Sequence, residues 1–252
     1  MPQVVFCADW DEAAALGTDP AVHIPAWQEA FIASFLEHGL VLTDDVWQHI
    51  IAEVVGMAEP LEVRAFVKRA KEMGASNLTI ERIYQLRHER LGYWQGPKRE
   101  FRLTPGFREV LEGVSALNGK SCVVSNAGHY IVDRMVNWMG LDTHLPAHLR
   151  VCSDHEEVLR TEQFKPNLLP WELALSLAEA TSQDVTFFLE DSFRNALALV
   201  KNERLFARGF LLMKRPEEVP GCQALLRDQG IEEDHLMVMS DQAPLHQFLK
   251  PL

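Results

Sequence analysis

The sequence predicts an α/β protein in which a Rossmann-like parallel sheet core carries an inserted all-helical block. The first observation is a short apolar run, Val4–Ala8, that leads into the carboxylates of Asp9 and Asp11. The second is a long segment, residues 21–92, whose apolar residues recur at helical spacing. The third is the alternation of short apolar runs with helical segments after Leu103, which is typical of a parallel sheet covered on both faces.

Composition and charge limit the classes of function. The 252 residues are 47% hydrophobic and 24% charged, as in an ordinary globular protein that needs no disulfide support. A formal net charge of −12 argues against binding nucleic acid through phosphate contacts. The cysteines are far apart, no signal peptide is visible, and no apolar run approaches the ~20 residues of a membrane span. We therefore expect a cytoplasmic protein without a nucleic-acid or membrane partner, and the oligomeric state is not predicted.

The helical block is predicted to contain four helices, at residues 21–40, 46–55, 62–73 and 80–91. The segment Thr43-Asp44-Asp45 is expected to cap the start of the second helix, and Gly56 and Gly74 are expected to end the second and third. Several aromatic residues lie at helical spacing, and we expect them to form the core of the block rather than a ligand site: Trp27, Phe31, Phe35 and Trp47.

The remainder of the chain is predicted to complete the sheet. Strands are expected at 121–125, 149–153, 185–189, 207–213 and 235–239, and helices at 105–117, 130–139, 169–180 and 195–202. The polar segment 215–234 is interpreted as a surface connection. We assign residues 1–15 and 97–252 to the core and residues 16–96 to the helical block. Because ligands bind beyond the carboxyl ends of parallel strands, a block inserted there would cover the site as a lid.

Two carboxylates follow the first predicted strand. Because side chains alternate along a strand, Asp9 and Asp11 point to the same side. Their repulsion would raise one pKa unless a cation lay between them. This spacing favours a divalent-metal site, although acidic residues are also common in the turn that follows a strand.

Polar residues also occur at three later positions where a predicted strand ends or a predicted helix begins. Ser125 and Asn126 end a predicted strand, where they either face a ligand or cap the next helix. Lys165 precedes a helix and either balances a phosphate or is a solvated loop charge. Glu190 and Asp191 follow a very apolar strand, where two acids are costly unless they bind a cation or cap a helix.

The order of these motifs resembles the haloacid dehalogenase-like hydrolase superfamily, in particular the branch of β-phosphoglucomutase and small-metabolite phosphatases with a helical cap. The motifs that carry the resemblance are Asp9-Trp10-Asp11, Ser125-Asn126, Lys165-Pro166 and Glu190-Asp191-Ser192. Pro105-Gly106 also resembles the family's entry into the first core helix. The resemblance covers nearly the whole chain.

The resemblance implies a magnesium-dependent phosphatase that acts on a small phosphorylated metabolite. Asp9 would be the nucleophile that forms an aspartyl-phosphate, and Asp11 the general acid and then base. Ser125 and Lys165 would bind the phosphoryl oxygens with help from the amide of Asn126. The implied ligands of Mg²⁺ are Asp9, Asp11 through its backbone carbonyl, Glu190 and Asp191.

The chain departs from the family pattern at two positions. The family has Gly followed by Thr or Val after the second Asp, whereas this chain has Glu12-Ala13. Asn195 replaces a Gly that usually follows the last motif. The bulk and charge of Glu12 leave open a pseudophosphatase that binds a phosphorylated ligand without turnover.

Three further enzyme classes and one signalling domain share part of the pattern. A sugar-phosphate mutase would use the same core residues. A 2-haloacid dehalogenase would not need Asp11, and a phosphonate hydrolase would need a cap lysine such as Lys68 or Lys71. A receiver domain would be about half as long and would lack the helical block.

A group of histidines and a cysteine has spacings that could suit zinc: His144, His148, Cys152 and His155. Pro146 breaks any helix that would place His144 and His148 on one face. These histidines are more simply interpreted as surface or core residues.

Overall fold

The computed structural model describes residues 2–17, 24–54, 57–94, 102–202, 205, 207–232 and 235–247. The chain forms two compact units, of which the first contains Met1–Leu16 with Arg102–Leu252 and the second Gly17–Phe101. The predicted core boundary at residue 97, the predicted helix start at 21–23 and the predicted helix stop at Gly56 lie outside the described residues.

The first unit alternates strands and helices along the chain. Its strands are β1 (Val4–Ala8), β2 (Ala15–Leu16), β3 (Arg102–Leu103), β4 (Lys120–Val124), β5 (Arg150–Val151), β6 (Val185–Glu190), β7 (Ala207–Lys214) and β8 (Leu236–Ser240). Its helices are α5 (Phe107–Ala116), α6 (His129–Trp138), α7 (Glu156–Thr161), α8 (Leu169–Leu177), α9 (Phe193–Val200) and α10 (Val219–Asp228).

Six of these strands form one parallel sheet in the order β5-β4-β1-β6-β7-β8. β1 is buried along its whole length, because it pairs with β4 on one side and with β6 on the other. Cys7, for example, is opposite both Cys122 and Phe188. The continuous apolar runs that predicted buried parallel strands are therefore explained, and the predicted α/β fold class is confirmed.

Several elements of this unit differ from the prediction, which did not include β2, β3 or α7. The strand expected at 149–153 is reduced to the two residues of β5, which follow a short 3-10 helix at Ala147–Leu149. The segment 215–234, interpreted as a surface connection, contains α10. Leu226 is the buried residue of α10, so the apolar periodicity that would reveal this helix is weak.

A small antiparallel ribbon joins the chain segment before the inserted unit to the segment after it. In β2 and β3, Ala15 pairs with Leu103 and Leu16 with Arg102. The hydroxyl of the buried Thr104 donates a hydrogen bond to the carbonyl of Ala13, and its N–H donates to Ala14 over 3.0 Å. The chain segments before and after the inserted unit are therefore joined immediately beyond the Asp9–Asp11 motif.

Gly106 occupies a position that only glycine fits. Its φ is +78°, in the left-handed region, and it immediately precedes α5. A Cβ atom there would lie 2.7 Å from Nδ1 of His246 and 2.8 Å from the backbone nitrogen of Leu245. The Pro-Gly motif noted in the sequence thus serves a close approach between two backbone segments.

The second unit is helical in its described residues, with α1 (Ile24–Glu37), α2 (Asp44–Val54), α3 (Glu59–Glu72) and α4 (Ile80–Trp94). Thr43 accepts a hydrogen bond from Val46 N–H at 3.4 Å, as expected of the N-cap of α2. α3 begins three residues earlier than predicted, because Pro60 is tolerated in the first turn of a helix.

The interior of this unit is an aromatic cluster. Trp27, Phe31, Phe35 and Trp47 are all buried in it, as predicted. A buried ion pair joins Arg87 to Glu59 at 2.9 Å, and the Arg87 guanidinium lies 3.7 Å from the Trp27 ring centroid. These contacts belong to the helical unit itself. Among the described residues, no helix combines the length and apolar character needed to cross a membrane.

Candidate active site

Neighbouring strands of the sheet deliver polar side chains to its carboxyl edge. Asp9 follows β1, and its N–H donates to the carbonyl of Leu189 at 2.8 Å. Ser125 follows β4, and its N–H donates a hydrogen bond to the carbonyl of Val151 at 3.0 Å. Glu190 is the last residue of β6. Because β4, β1 and β6 are adjacent and parallel, these ends lie side by side.

Lys165 lies at the centre of this group. Its Nζ is 2.7 Å from Oδ1 of Asp9 and 2.8 Å from Oε1 of Glu190, and all three side chains are buried. Nζ also lies 5.3 Å from the centroid of the Trp171 ring. Burial opposes the charge on Lys165, but the two carboxylates outweigh it and raise the lysine pKa above its ordinary value. Lys165 is therefore a fixed cation rather than a solvated loop charge.

Lys165 contacts two acids of the site, and a third carboxylate, that of Asp191, lies beside them. Burial raises the pKa of the Asp9 carboxyl well above its ordinary value; Lys165 opposes this rise, whereas Glu190 and Asp191 add to it. Asp9, Glu190 and Asp191 each offer one oxygen, and these atoms lie within 4.8 Å of one another. Hard carboxylate oxygens at this spacing fit a divalent cation such as Mg²⁺, which would relieve the repulsion.

Asn195 orients the Glu190 carboxylate. Its Nδ2 lies 3.3 Å and 3.2 Å from the two oxygens of Glu190, and Ser192 N–H donates to Oε2 at 3.3 Å. The Ser192 hydroxyl caps α9 by accepting from Asn195 N–H at 3.4 Å. Because Ser192 caps this helix, Glu190 is not needed as the cap, and its carboxylate contacts Lys165. The Asn195 departure thus supplies a hydrogen-bond donor that a glycine could not.

The Ser125-Asn126 motif contacts both Asp11 and Lys165. The Ser125 hydroxyl donates to Oδ2 of Asp11 at 3.4 Å and accepts from Ala127 N–H at 3.0 Å. The Asn126 amide clasps the backbone of Lys165, since Oδ1 accepts from its N–H at 3.2 Å and Nδ2 donates to its carbonyl at 3.4 Å. Asn126 therefore holds the lysine in place, and its implied assistance in binding the phosphoryl oxygens stays a prediction.

Glu12 has the backbone conformation that glycine would adopt. Its φ is +55°, in the left-handed region, and its N–H donates to the carbonyl of Ala15 at 2.9 Å. A side chain in this region costs about 1–2 kcal/mol relative to right-handed backbone. The departure noted in the sequence is thus a locally strained residue directly after Asp11.

Replacing Glu12 with Gly should raise the free energy of unfolding by up to about 1 kcal/mol, since relief of strain outweighs the larger entropy of glycine in the unfolded chain. Glu162→Gly is the matched control, because Glu162 also has a positive φ (54°) but ends α7. Both changes should stabilise the protein in urea titrations. If the Glu12 carboxylate limits metal binding, only Glu12→Gly should lower the magnesium concentration for half-maximal activity. An unchanged requirement would mean that Glu12 does not affect the metal.

The structure does not assemble the zinc group that the sequence spacing suggested. In the described residues, the groups that approach Cys152 are His129 and Asp154, while His144 Nδ1 lies 3.0 Å from the hydroxyl of Ser115. Sequence reasoning missed His129 and Asp154. The available signal was a histidine three residues after the Ser-Asn motif. Lys68 and Lys71, the candidate lysines of a phosphonate hydrolase, are both exposed on α3.

The predicted site residues belong to the first unit and converge at one edge of its sheet. Direct contacts link Asp9, Lys165 and Glu190, and others link Ser125 to Asp11 and Asn126 to Lys165. Asp191 joins through its carboxylate beside Asp9 and Glu190. The group of three carboxylate oxygens does not include the side chain of Asp11. The chemical roles of these residues stay predictions.

No protein-family model matches the sequence, and no curated protein matches it. Solved structures do. A Thermotoga maritima protein assigned as a β-phosphoglucomutase is 16% identical, with a TM-score of 0.61 over 99% of this chain and 100% of its own. A haloacid dehalogenase-type hydrolase from Entamoeba histolytica is 15% identical, with a TM-score of 0.57 over 94% and 92%.

CbbY from Rhodobacter sphaeroides, solved with phosphate, is 16% identical, with a TM-score of 0.56 over 84% of this chain and 86% of its own. At these identities the agreement concerns the fold, and it extends over both units. With the sheet order and the strand-end residues described above, the chain has the fold of the haloacid dehalogenase-like hydrolases, in the form found among β-phosphoglucomutases and phosphatases.

Proposed function

We propose that this protein is a magnesium-dependent phosphatase that hydrolyses a small phosphorylated metabolite through an aspartyl-phosphate. The observation that carries the proposal is the buried contact of Lys165 with Asp9 and Glu190, next to the carboxylate of Asp191. One fixed cation among three acids at the ends of parallel strands suits a substrate that brings negative charge together with a divalent cation.

In this proposal, a carboxylate oxygen of Asp9 attacks phosphorus, and the bond from phosphorus to the ester oxygen breaks. The departing oxygen takes a proton from Asp11. Asp11 then removes a proton from water, whose oxygen attacks the aspartyl-phosphate, releases phosphate and restores Asp9. In this scheme the Ser125 hydroxyl binds a phosphoryl oxygen close to Asp11, which it already contacts.

Lys165 has two tasks in this scheme. It lowers the repulsion between Asp9 and an approaching phosphate, and it presents a cation to the phosphoryl oxygens in a site from which water is largely excluded. Asn126 fixes the backbone of Lys165, and Asn195 fixes Glu190. When bound, Mg²⁺ would supply the additional positive charge for which Asp9, Glu190 and Asp191 offer oxygens.

The similar structures support this class of substrate. CbbY from Rhodobacter sphaeroides was solved with phosphate, and a variant of it with xylulose-(1,5)-bisphosphate. A sugar-phosphate mutase is the second candidate, favoured by the similarity to the Thermotoga maritima protein. The two activities differ in whether water or a second hydroxyl group reaches the aspartyl-phosphate.

The proposal predicts hydrolysis of p-nitrophenyl phosphate that requires a divalent cation. Activity should be lost in EDTA and return with excess Mg²⁺, because Asp9, Glu190 and Asp191 offer carboxylate oxygens within 4.8 Å of one another, an arrangement that suits a divalent cation. Calorimetric titration of Mg²⁺ should show one site. Full activity in EDTA would contradict the metal requirement, whereas one bound Mg²⁺ without any hydrolysis would favour the pseudophosphatase. A mutase would instead transfer the phosphoryl group to a sugar hydroxyl rather than to water.

A further inference from the structure

His129 is held by acceptors at both ring nitrogens. Its Nδ1 lies 2.6 Å from Oδ1 of Asp154, and its Nε2 lies 3.0 Å from the carbonyl oxygen of Arg150. A neutral imidazole carries a single proton and can satisfy one acceptor. Only the doubly protonated ring donates to both, so the geometry selects the imidazolium form.

Asp154 binds the backbone of the same residue. The N–H of His129 donates to Oδ1 of Asp154 at 2.8 Å. His129 is the first residue of α6, and Gly128, the N-cap residue, has no side chain to accept from this end of the helix. Asp154 therefore acts as the cap of α6 from a separate segment of the chain, with both a backbone and a side-chain contact.

These contacts adjoin the loop of residues 125–128, which joins β4 to α6 and carries Ser125 and Asn126. Two backbone hydrogen bonds tie the same loop to β5 and to the segment after it: Ser125 N–H donates to Val151 of β5, and Ser153 N–H donates to Ala127, each at 3.0 Å. The His129–Asp154 pair is the charged member of this set of contacts, and it lies where the loop joins α6.

We propose that the His129–Asp154 ion pair positions the 125–128 loop so that Ser125 is ready to bind phosphate and Asn126 keeps its hold on the backbone of Lys165. This inference rests on the proposed function, because it assigns the loop to phosphate binding. His129 and Asp154 are positioning residues here, since they act through the loop.

The surroundings of the pair reinforce its charge. The hydrogen bond to Asp154 raises the pKa of His129, against partial burial, and Asp133 adds to the rise. Burial works against ionisation of Asp154, but His129 outweighs it and keeps the Asp154 pKa below its ordinary value. Other charged or titratable groups nearby are His155, whose ring centroid is 6.5 Å from that of His129, the thiol of Cys152, and the guanidinium of Arg150, which pairs with Asp133 at 2.6 Å.

The sign of the pH dependence follows from the raised His129 pKa. The His129–Asp154 pair stabilises the loop fully below the ordinary pKa of histidine. This stabilisation is lost as the pH rises through the higher pKa that His129 has in the folded protein. Phosphate affinity should therefore contain a component that falls with the deprotonation of His129.

The test compares wild type with Asp154→Asn, which keeps an acceptor for the His129 N–H but removes the charge. Glu157→Gln is the matched control, because it removes a nearby exposed carboxylate that pairs with Arg160. The readouts are the inhibition constant of inorganic phosphate and the KM and kcat for p-nitrophenyl phosphate, from pH 5.5 to 9. The His129 pKa is measured by NMR, independently of activity.

At low pH, Asp154→Asn should weaken phosphate binding about two- to fivefold, the effect of a partly exposed ion pair, with a larger change in KM than in kcat. The ratio of its inhibition constant to that of wild type should approach one above the His129 pKa, where the wild-type pair is also lost. Comparison at each pH cancels the titration of phosphate itself. Glu157→Gln should behave like wild type.

Several results would overturn the inference. An inhibition constant in Asp154→Asn equal to wild type at every pH would do so while leaving the proposed function intact. A ratio independent of pH would indicate a merely structural role, and a His129 pKa at or below its ordinary value would remove the ion pair. One zinc ion per chain, lost in Cys152→Ser, would make His129 and Asp154 metal ligands instead. If Asp154→Asn does not fold, His129→Gln tests the same ratio, because it keeps the backbone contact to Asp154.

Discussion

Replacing Asp9 with Asn should lower the turnover of p-nitrophenyl phosphate by at least about 10³-fold, because an amide cannot form the aspartyl-phosphate. The fold should survive, since Asn has nearly the same volume and its Oδ1 can still accept the hydrogen bond that Trp10 N–H donates at 2.8 Å. Lys165 also keeps Glu190 as a partner at 2.8 Å. The loss therefore belongs to the chemical step rather than to unfolding.

The measurement is steady-state kinetics together with thermal unfolding of the same preparation. Asp228→Asn is the control, because Asp228 is an exposed carboxylate at the end of α10 in the same unit. It should leave turnover unchanged. Activity of Asp9→Asn within tenfold of wild type would rule out Asp9 as the nucleophile, and a variant that unfolds would be replaced by Asp9→Ser.

Among the variants considered, Lys165→Met should lower the free energy of unfolding the most. It leaves the carboxylates of Asp9 and Glu190 buried and without the cation that both contact. Breaking a buried ion pair by removing one partner costs about 3–5 kcal/mol. We expect a loss of that size in the free energy of unfolding at neutral pH without added metal, and loss of phosphate binding as well.

Two conditions should restore part of this stability. Lowering the pH should do so, because burial already raises the pKa of Asp9, and protonation of Asp9 removes its repulsion with Glu190. Saturating Mg²⁺ should do so through the same carboxylates. Lys120→Met is the control, since Lys120 pairs at 2.7 Å with the exposed Glu179 and its loss should change stability much less. Equal destabilisation of the two variants would contradict the central place given to Lys165.

Local patterns were sufficient to predict the strands that hold the site. The run at β1 is buried on both faces and flanked by strands, and such runs are continuously apolar because no side chain reaches water. The same logic identified β6 and the acids after it. Elements with little buried surface, such as α10, left no comparable pattern.

The sequence by itself thus determined the fold class, the insertion of a helical segment after the first strand and the set of acids, hydroxyl and lysine at strand ends. These follow from periodicity and from residue type, both of which are local. It could not determine that Lys165 bridges Asp9 and Glu190. Nor could it determine that Asn126 binds the backbone of Lys165, or that His129 pairs with Asp154.

Only the tertiary structure decided those contacts, because each joins residues brought together by the order of the strands in the sheet. Asp9 and Lys165 are 156 positions apart in the numbering of the chain (165 − 9), and their distance depends on β4, β1 and β6 being neighbours. Charge states follow from the same packing: burial and the identity of the partner set the pKa of Asp9, Lys165 and His129, and neither can be read from a single position.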